Sequence, residues 1–157
     1  MRKCYLFTLL VSVLFCCTLK AQTTKTIDVT QPGTLSAMLG ETLKSVKDLS
    51  ITGKINSADI DALMQAGALE VLNLLDATIV DAEGKETTVF PGYTLRKHPS
   101  LTTLTFPKTV TSIGAGAFFK CLKLKKVVLP EAIKKLSESV FMSCSALSEI
   151  NFPNGLE

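Results

Sequence analysis

The C-terminal third of the chain repeats itself every 23 residues. In blocks it reads LTTLTFPKTVTSIGAGAFFKCLK from Leu101, LKKVVLPEAIKKLSESVFMSCSA from Leu124 and LSEINFPNGLE from Leu147. Leu101, Leu124 and Leu147 align, as do Leu104, Val127 and Ile150, then Phe106, Leu129 and Phe152, then Pro107, Pro130 and Pro153, and finally Val110, Ile133 and Leu156. In the two complete units Ile113 matches Leu136, Ala117 matches Val140, Phe118 matches Phe141, and Cys121 matches Cys144. A repeat this short cannot bury its own apolar face. Neighbours must stack and share one continuous core, which limits the chain to a solenoid-type fold.

One unit shows how the stack is built. Leu104 and Phe106 are two residues apart, so both point from a short strand into the core while Thr103 and Thr105 point outward. Pro107 lacks a ladder donor and ends the strand. Gly114 and Gly116 permit a tight bend, and Ala117-Phe118 supply a second buried patch on the return. The next unit has Ser137 and Ser139 at the glycine positions, which predicts a bend that does not depend on a positive φ.

The spacing recurs upstream, where Val46, Leu49 and Ile51 precede Leu69, Leu72 and Leu74 by one period. Between these two strands Asn56 caps a helix with Asp59 three residues on; Ile60, Leu63 and Met64 form its apolar stripe and Gly67 ends it. A first helix follows Pro32-Gly33, with Thr34 as cap and Leu35, Met38, Leu39 and Leu43 inward. From Leu75 to Ser100 the register is lost, and Asp81 to Thr88 reads as an exposed loop. The expected organisation is thus a lead-in over 22–32, a helix-containing N-terminal cap with degenerate repeats over 33–80, and a loop with a degenerate repeat over 81–100. Repeats follow over 101–123 and 124–146, with a partial one over 147–157. The fold class is α/β, with short parallel strands. Because the third unit stops at its eleventh residue, the chain reads as the N-terminal part of a longer protein or as a truncated gene product.

The units L-x-x-L-x-F-P-x-x-V-x-x-I-G-x-x-A-F-x-x-C from Leu101 resemble the BspA-type leucine-rich repeats of bacterial surface and secreted proteins. The passage TLSAMLG…LSITGKINSADIDALM…LEVLNLLDATIV resembles the segment that often precedes them. The resemblance implies an exported protein-interaction solenoid, in some members used for adhesion to host matrix or to other cells.

Residues 1–21 fit that destination. Arg2 and Lys3 precede an apolar stretch from about Tyr5 to Cys17 that is too short to span a bilayer, and Ala21 offers a cleavage point, so the segment reads as a secretory signal peptide. Lipidation at Cys16 or Cys17 is the lesser alternative, since Phe15 or Cys16 stands where a small residue should precede the Cys. Cleavage leaves 14 basic and 14 acidic residues and no predicted transmembrane span. Residues 22–90 hold 5 bases and 10 acids, and residues 91–157 hold 9 bases and 4 acids.

Catalytic and cofactor chemistry find no residues to carry them. The single His, His98, precedes Pro99 in a polar turn and reads as an exposed loop residue. Asp59 and Asp61 do not share a helix face and serve as first-turn acids. Gly114-Ala115-Gly116 lacks the Lys of a phosphate loop. No metal or cofactor site and no nucleic-acid partner is expected. Cys121 and Cys144 form either a structural ladder of buried thiols or, in an oxidising compartment, a disulfide. Lysines 120, 123, 125, 126, 134 and 135 could meet a polyanion such as a sulfated glycan, but Glu131 and Glu138 lie among them.

The outward face of the strand ladder is the candidate binding surface. Asp48, Val71, Thr103, Lys126 and Glu149 make one row, and Ser50, Asn73, Thr105, Val128 and Asn151 the next. The expected partner is a host matrix or cell-surface protein, or a surface glycan. The second reading is a recognition or spacer module of a longer exported surface protein or enzyme.

Overall fold

The computed structural model describes residues 24–157. The leader, its cleavage point and Cys16 and Cys17 lie outside the described residues. The chain opens with β1 (Lys25–Val29), α1 (Leu35–Leu39) and a 3-10 turn over Gly40–Lys44. Then come β2 (Asp48–Ile55), α2 (Ser57–Ala62) and a 3-10 turn over Leu63–Gln65. Eight short strands follow: β3 (Val71–Asn73), β4 (Ala77–Ile79), β5 (Val89–Phe90), β6 (Thr103–Thr105), β7 (Ser112–Ile113), β8 (Lys126–Val128), β9 (Lys135–Leu136) and β10 (Glu149–Ile150).

The strands fall into two parallel sheets. One runs β1-β2-β3-β6-β8-β10, with β4 on the second half of β2, and the other runs β5-β7-β9. Asp48 pairs with Val71, Thr103 with Lys126, and Lys126 with Glu149, each a step of 23 residues. The second sheet keeps the same step, Val89 to Ser112 to Lys135. Each rung therefore carries a strand on one side and a return segment on the other, and the core lies between. Leu49, Leu72, Leu104 and Val127 fill it from the strand side; Phe90, Ile113, Ala117 and Phe118 fill it from the return side.

Aromatic rings join the rungs. Phe90 and Phe118 stack at 5.7 Å, Phe118 and Phe141 stack at 5.7 Å, and Phe106 meets both Phe90 and Phe118 edge-on at 5.1 and 5.6 Å. Such pairs contribute about 0.5–1.5 kcal/mol each beyond the apolar area they bury.

Upstream, a helix takes the return side. Asn56 accepts a hydrogen bond from Asp59 N–H, and the Asp59 carboxylate accepts from Asn56 N–H, closing a capping box. The same carboxylate also accepts from Gly33 N–H at 2.6 Å and Leu35 N–H at 2.9 Å. A buried acid thus ties the start of α1 to the start of α2, satisfying donors that would otherwise be orphaned. Within α1 and its 3-10 extension, Leu35, Leu39 and Leu43 are buried, but Met38 is 43% exposed, against the expectation that it turns inward. Met38 instead lies on the flank of α1, where the Thr34 hydroxyl meets its sulfur at 3.6 Å.

Two further expectations are overturned. The register is not lost through residue 100: β5 pairs in phase with β7, so residues 89–98 are the return half of a rung. Nor does the bend avoid positive φ. Tyr93 (φ 58°), Gly116 (60°) and Ser139 (59°) sit one period apart, as do Lys97 (59°), Lys120 (59°) and Ser143 (62°). Left-handed backbone disfavours side chains by about 1–2 kcal/mol, yet here each turn is held by bonds to the next rung. Tyr93 N–H donates to Ala115 O, Gly116 N–H to Glu138 O, Lys97 N–H to Phe119 O and Lys120 N–H to Met142 O. Bonding between rungs fixes the conformation whatever the residue.

Candidate functional site

The strand ladder sets the outward rows. Asp48, Val71, Thr103, Lys126 and Glu149 follow one another across β2, β3, β6, β8 and β10, and Ser50, Asn73, Thr105 and Val128 form the adjacent row. The inward residue between the rows is apolar on every strand, so side-chain alternation leaves these positions toward solvent. Two of the charges of the first row are paired with each other, Lys126 with Glu149 at 3.0 Å, and the third, Asp48, accepts a hydrogen bond from the Thr24 hydroxyl at 3.0 Å. The centre of the face is Thr103 and Thr105, which make no side-chain hydrogen bond among the described residues and present hydroxyl and methyl groups.

Both asparagines are engaged locally. Asn73 Oδ1 accepts from Leu75 N–H at 3.1 Å and shapes the turn after β3. Asn151 Oδ1 accepts from Leu129 N–H at 2.7 Å, and its Nδ2 donates to Leu129 O at 2.9 Å. Its amide thus takes both backbone groups that a further ladder pair would use. A shallow open depression lies over this end of the face, between Lys126–Val128 and Ser148–Asn151.

Inside the rungs lies a column of ionisable side chains. Cys121 and Cys144 are buried free thiols; Cys121 Sγ donates to Leu95 O and Cys144 Sγ to Phe118 O, each at 3.1 Å. When the less buried Cys144 ionises, the Cys121 S–H can turn to it, which pulls Cys144 down to about 7. That same bond, together with burial, pushes Cys121 up.

One period before Cys121 stands His98, and it is 2% exposed, not a surface loop residue. Its Nε2 lies 3.2 Å from Leu63 O, and its Nδ1 accepts from Leu101 N–H at 3.2 Å. A carbonyl facing Nε2 and an N–H facing Nδ1 fit the neutral Nε2–H form. Burial holds His98 below its ordinary pKa, opposed by the bond to Leu63. This imidazole locks the 3-10 turn after α2 to the next rung, with both ring nitrogens facing backbone groups. Counting 23 residues back from Cys121 would have found it. Asp59, also buried, is likewise committed to backbone donors. Among the described residues no group of three or more His, Cys, Asp or Glu could hold a metal ion. No helix among them is long and apolar enough to cross a membrane.

No curated protein matches the chain. A solved structure, a leucine rich cell surface protein from Faecalibacterium prausnitzii A2-165, is similar at 25% identity and a TM-score of 0.48 over 68% of this chain. This chain spans 27% of that one's length. Residues 85–157 match the family model described as BspA type Leucine rich repeat region (6 copies). The match begins just ahead of β5, where the return strands begin, and residues 85–157 are thus a BspA-type leucine-rich-repeat region.

Proposed function

We propose that the chain is an exported, non-catalytic recognition module: a short solenoid of 23-residue units whose outward strand face binds a protein of a host matrix or cell surface. The observation that carries this reading is the pair of in-phase rows centred on Thr103 and Thr105. They form a flat, regular surface of the kind by which repeat proteins engage partners. The helix-bearing segment of residues 33–80 acts as the N-terminal cap. Its outermost strand, β1, alternates exposed Thr26 and Asp28 with partly buried Lys25 and Ile27, a polar edge that discourages further pairing. Export through the leader, with cleavage after Ala21, brings the module to its partner.

The test is binding of the purified chain to a panel of immobilised matrix glycoproteins, beside the variant Thr103→Arg/Thr105→Arg. A partner that binds the parent chain and loses at least tenfold in affinity with the variant supports the reading. Equal binding by parent and variant, with both folded, contradicts the assignment of the face.

A further inference from the structure

We propose that the edge of the rungs preceding the strands is a second binding surface, specific for a sulfated polysaccharide. No acidic residue occurs between Glu86 and Glu131, while that stretch carries seven cations: Arg96, Lys97, Lys108, Lys120, Lys123, Lys125 and Lys126. The structure divides them. Lys108 is paired with Asp76 at 3.1 Å and Lys126 with Glu149 at 3.0 Å. Arg96, Lys97, Lys120, Lys123 and Lys125 are exposed and have no ion-pair partner among the described residues.

These five come together at one edge. Lys97 N–H donates to Phe119 O at 2.8 Å, which sets Arg96-Lys97 directly against Phe119-Lys120 on the next rung. Leu124 N–H closes a tight turn onto Cys121 O, and Lys125 N–H bonds to Thr102 O at 2.8 Å. Lys120, Lys123 and Lys125 therefore leave one short corner. Neighbouring rungs sit roughly 5 Å apart, so the cations form a compact cluster over two rungs. The left-handed backbone at Lys97 and Lys120 fixes where those two side chains depart. Lys120 Nζ also rests 5.2 Å from the Phe119 ring centre, an attraction that restrains the ammonium.

The flanking rungs add no neutralising charge. Following this edge, the next rung presents Ser143, Ser145 and Ser148. On the other side Glu70 is held by Lys47 at 2.9 Å. The lysines at 126, 134 and 135 leave the cluster. Lys126 belongs to the strand face, while Lys134 and Lys135 sit on the return strand near Thr111.

Ammonium groups are point charges, suited to permanently ionised sulfates spaced along a chain, and Arg96 adds one bidentate donor. A single-stranded nucleic acid would need exposed aromatic platforms for its bases. Here Phe119 is half-buried with Lys120 across it. Attraction of this kind weakens with salt as the charges are screened.

The experiment measures binding of the purified chain to a defined heparin oligosaccharide by calorimetry at near-physiological ionic strength, about 0.15 M. The edge variant is Lys97→Asn/Lys120→Asn/Lys123→Gln; Asn tolerates the left-handed backbone at the first two positions. The control, Lys108→Gln/Lys134→Gln/Lys135→Gln, removes the same charge elsewhere. Matching circular dichroism and melting curves establish that all three are folded. The expected result is binding by the parent chain, at least a tenfold loss in the edge variant, less than a twofold change in the control, and loss on desulfating the oligosaccharide. No binding by the parent, equal losses in the two variants, retention after desulfation, or tighter binding of single-stranded DNA of equal charge would each overturn the proposal. These results are independent of the strand-face assignment, whose test uses matrix proteins and Thr103 and Thr105.

Discussion

Upstream and downstream of residue 80 the chain builds the same strand ladder but closes its rungs in two ways. Above β3 the return is a helix, and its closure is concentrated in one buried side chain, the Asp59 carboxylate, which takes backbone N–H groups from residues 33, 35 and 56. Below, the return is a two-residue strand followed by two left-handed turns, and closure is shared among backbone bonds from each rung to the next. The difference shows that the strand half of a rung is set by apolar spacing. The return half is set by whatever satisfies the backbone locally.

This contrast predicts a graded set of responses. The largest belongs to the downstream stack, where Phe118 touches Phe90, Phe106 and Phe141 at once. Phe118→Ala should lower the unfolding free energy by about 3–5 kcal/mol in urea titrations. Upstream, Asp59→Ala leaves buried N–H groups unpartnered and should cost about 2–3 kcal/mol, while Asp61→Ala on the same helix, exposed, should stay within about 0.5 kcal/mol. If the two aspartates behave alike, closure is not concentrated in Asp59.

Glycines sharpen the comparison at smaller amplitude. Gly116 has φ +60°, and a Cβ there would lie 2.7 Å from the Tyr93 ring, so Gly116→Ala should lower the melting point, by about 1–2 kcal/mol of stability. Gly67, beyond the upstream helix, has open space and an ordinary φ. Gly67→Ala should therefore be neutral or stabilising by up to about 1 kcal/mol.

The joint between the two regions should respond to pH. His98 has its folded pKa held below the ordinary imidazole value of 6.5, so the folded state binds fewer protons than the unfolded one. Its contribution is complete above pH 6.5 and is lost as the pH falls from there through the folded pKa. Urea midpoints measured downward from neutral pH should fall in the parent chain and fall less in His98→Gln, which keeps a donor toward Leu63 O.

The legibility of the fold follows the same division. Leu101, Leu124 and Leu147 and the columns beside them made the parallel strands readable, because burial demands apolar residues at fixed intervals. Asn56 and Asp59 were readable as a capping pair, but the reach of Asp59 to Gly33 and Leu35 was not, since it depends on how two segments pack. The left-handed turns escaped detection because backbone bonding imposes them on Tyr93, Gly116 and Ser139 alike, leaving no shared side chain. His98 hid for a related reason: a polar residue in the Cys121 column breaks the apolar pattern, although its two ring nitrogens are satisfied there. The cationic edge was legible in part. Lys120, Lys123 and Lys125 stood out by count, whereas Arg96 and Lys97 joined them only once residues 89–98 were placed in register.

That register is the central claim, and the single histidine reports on it without ambiguity. Titrating the His98 ring resonance by NMR, in the chain without any added histidine, should give a midpoint below 6.5, because the imidazole lies inside the rungs, neutral and bonded to Leu63 O. A midpoint at or above 6.5 would place His98 in solvent and would contradict the assignment of residues 89–98 as the return half of a rung.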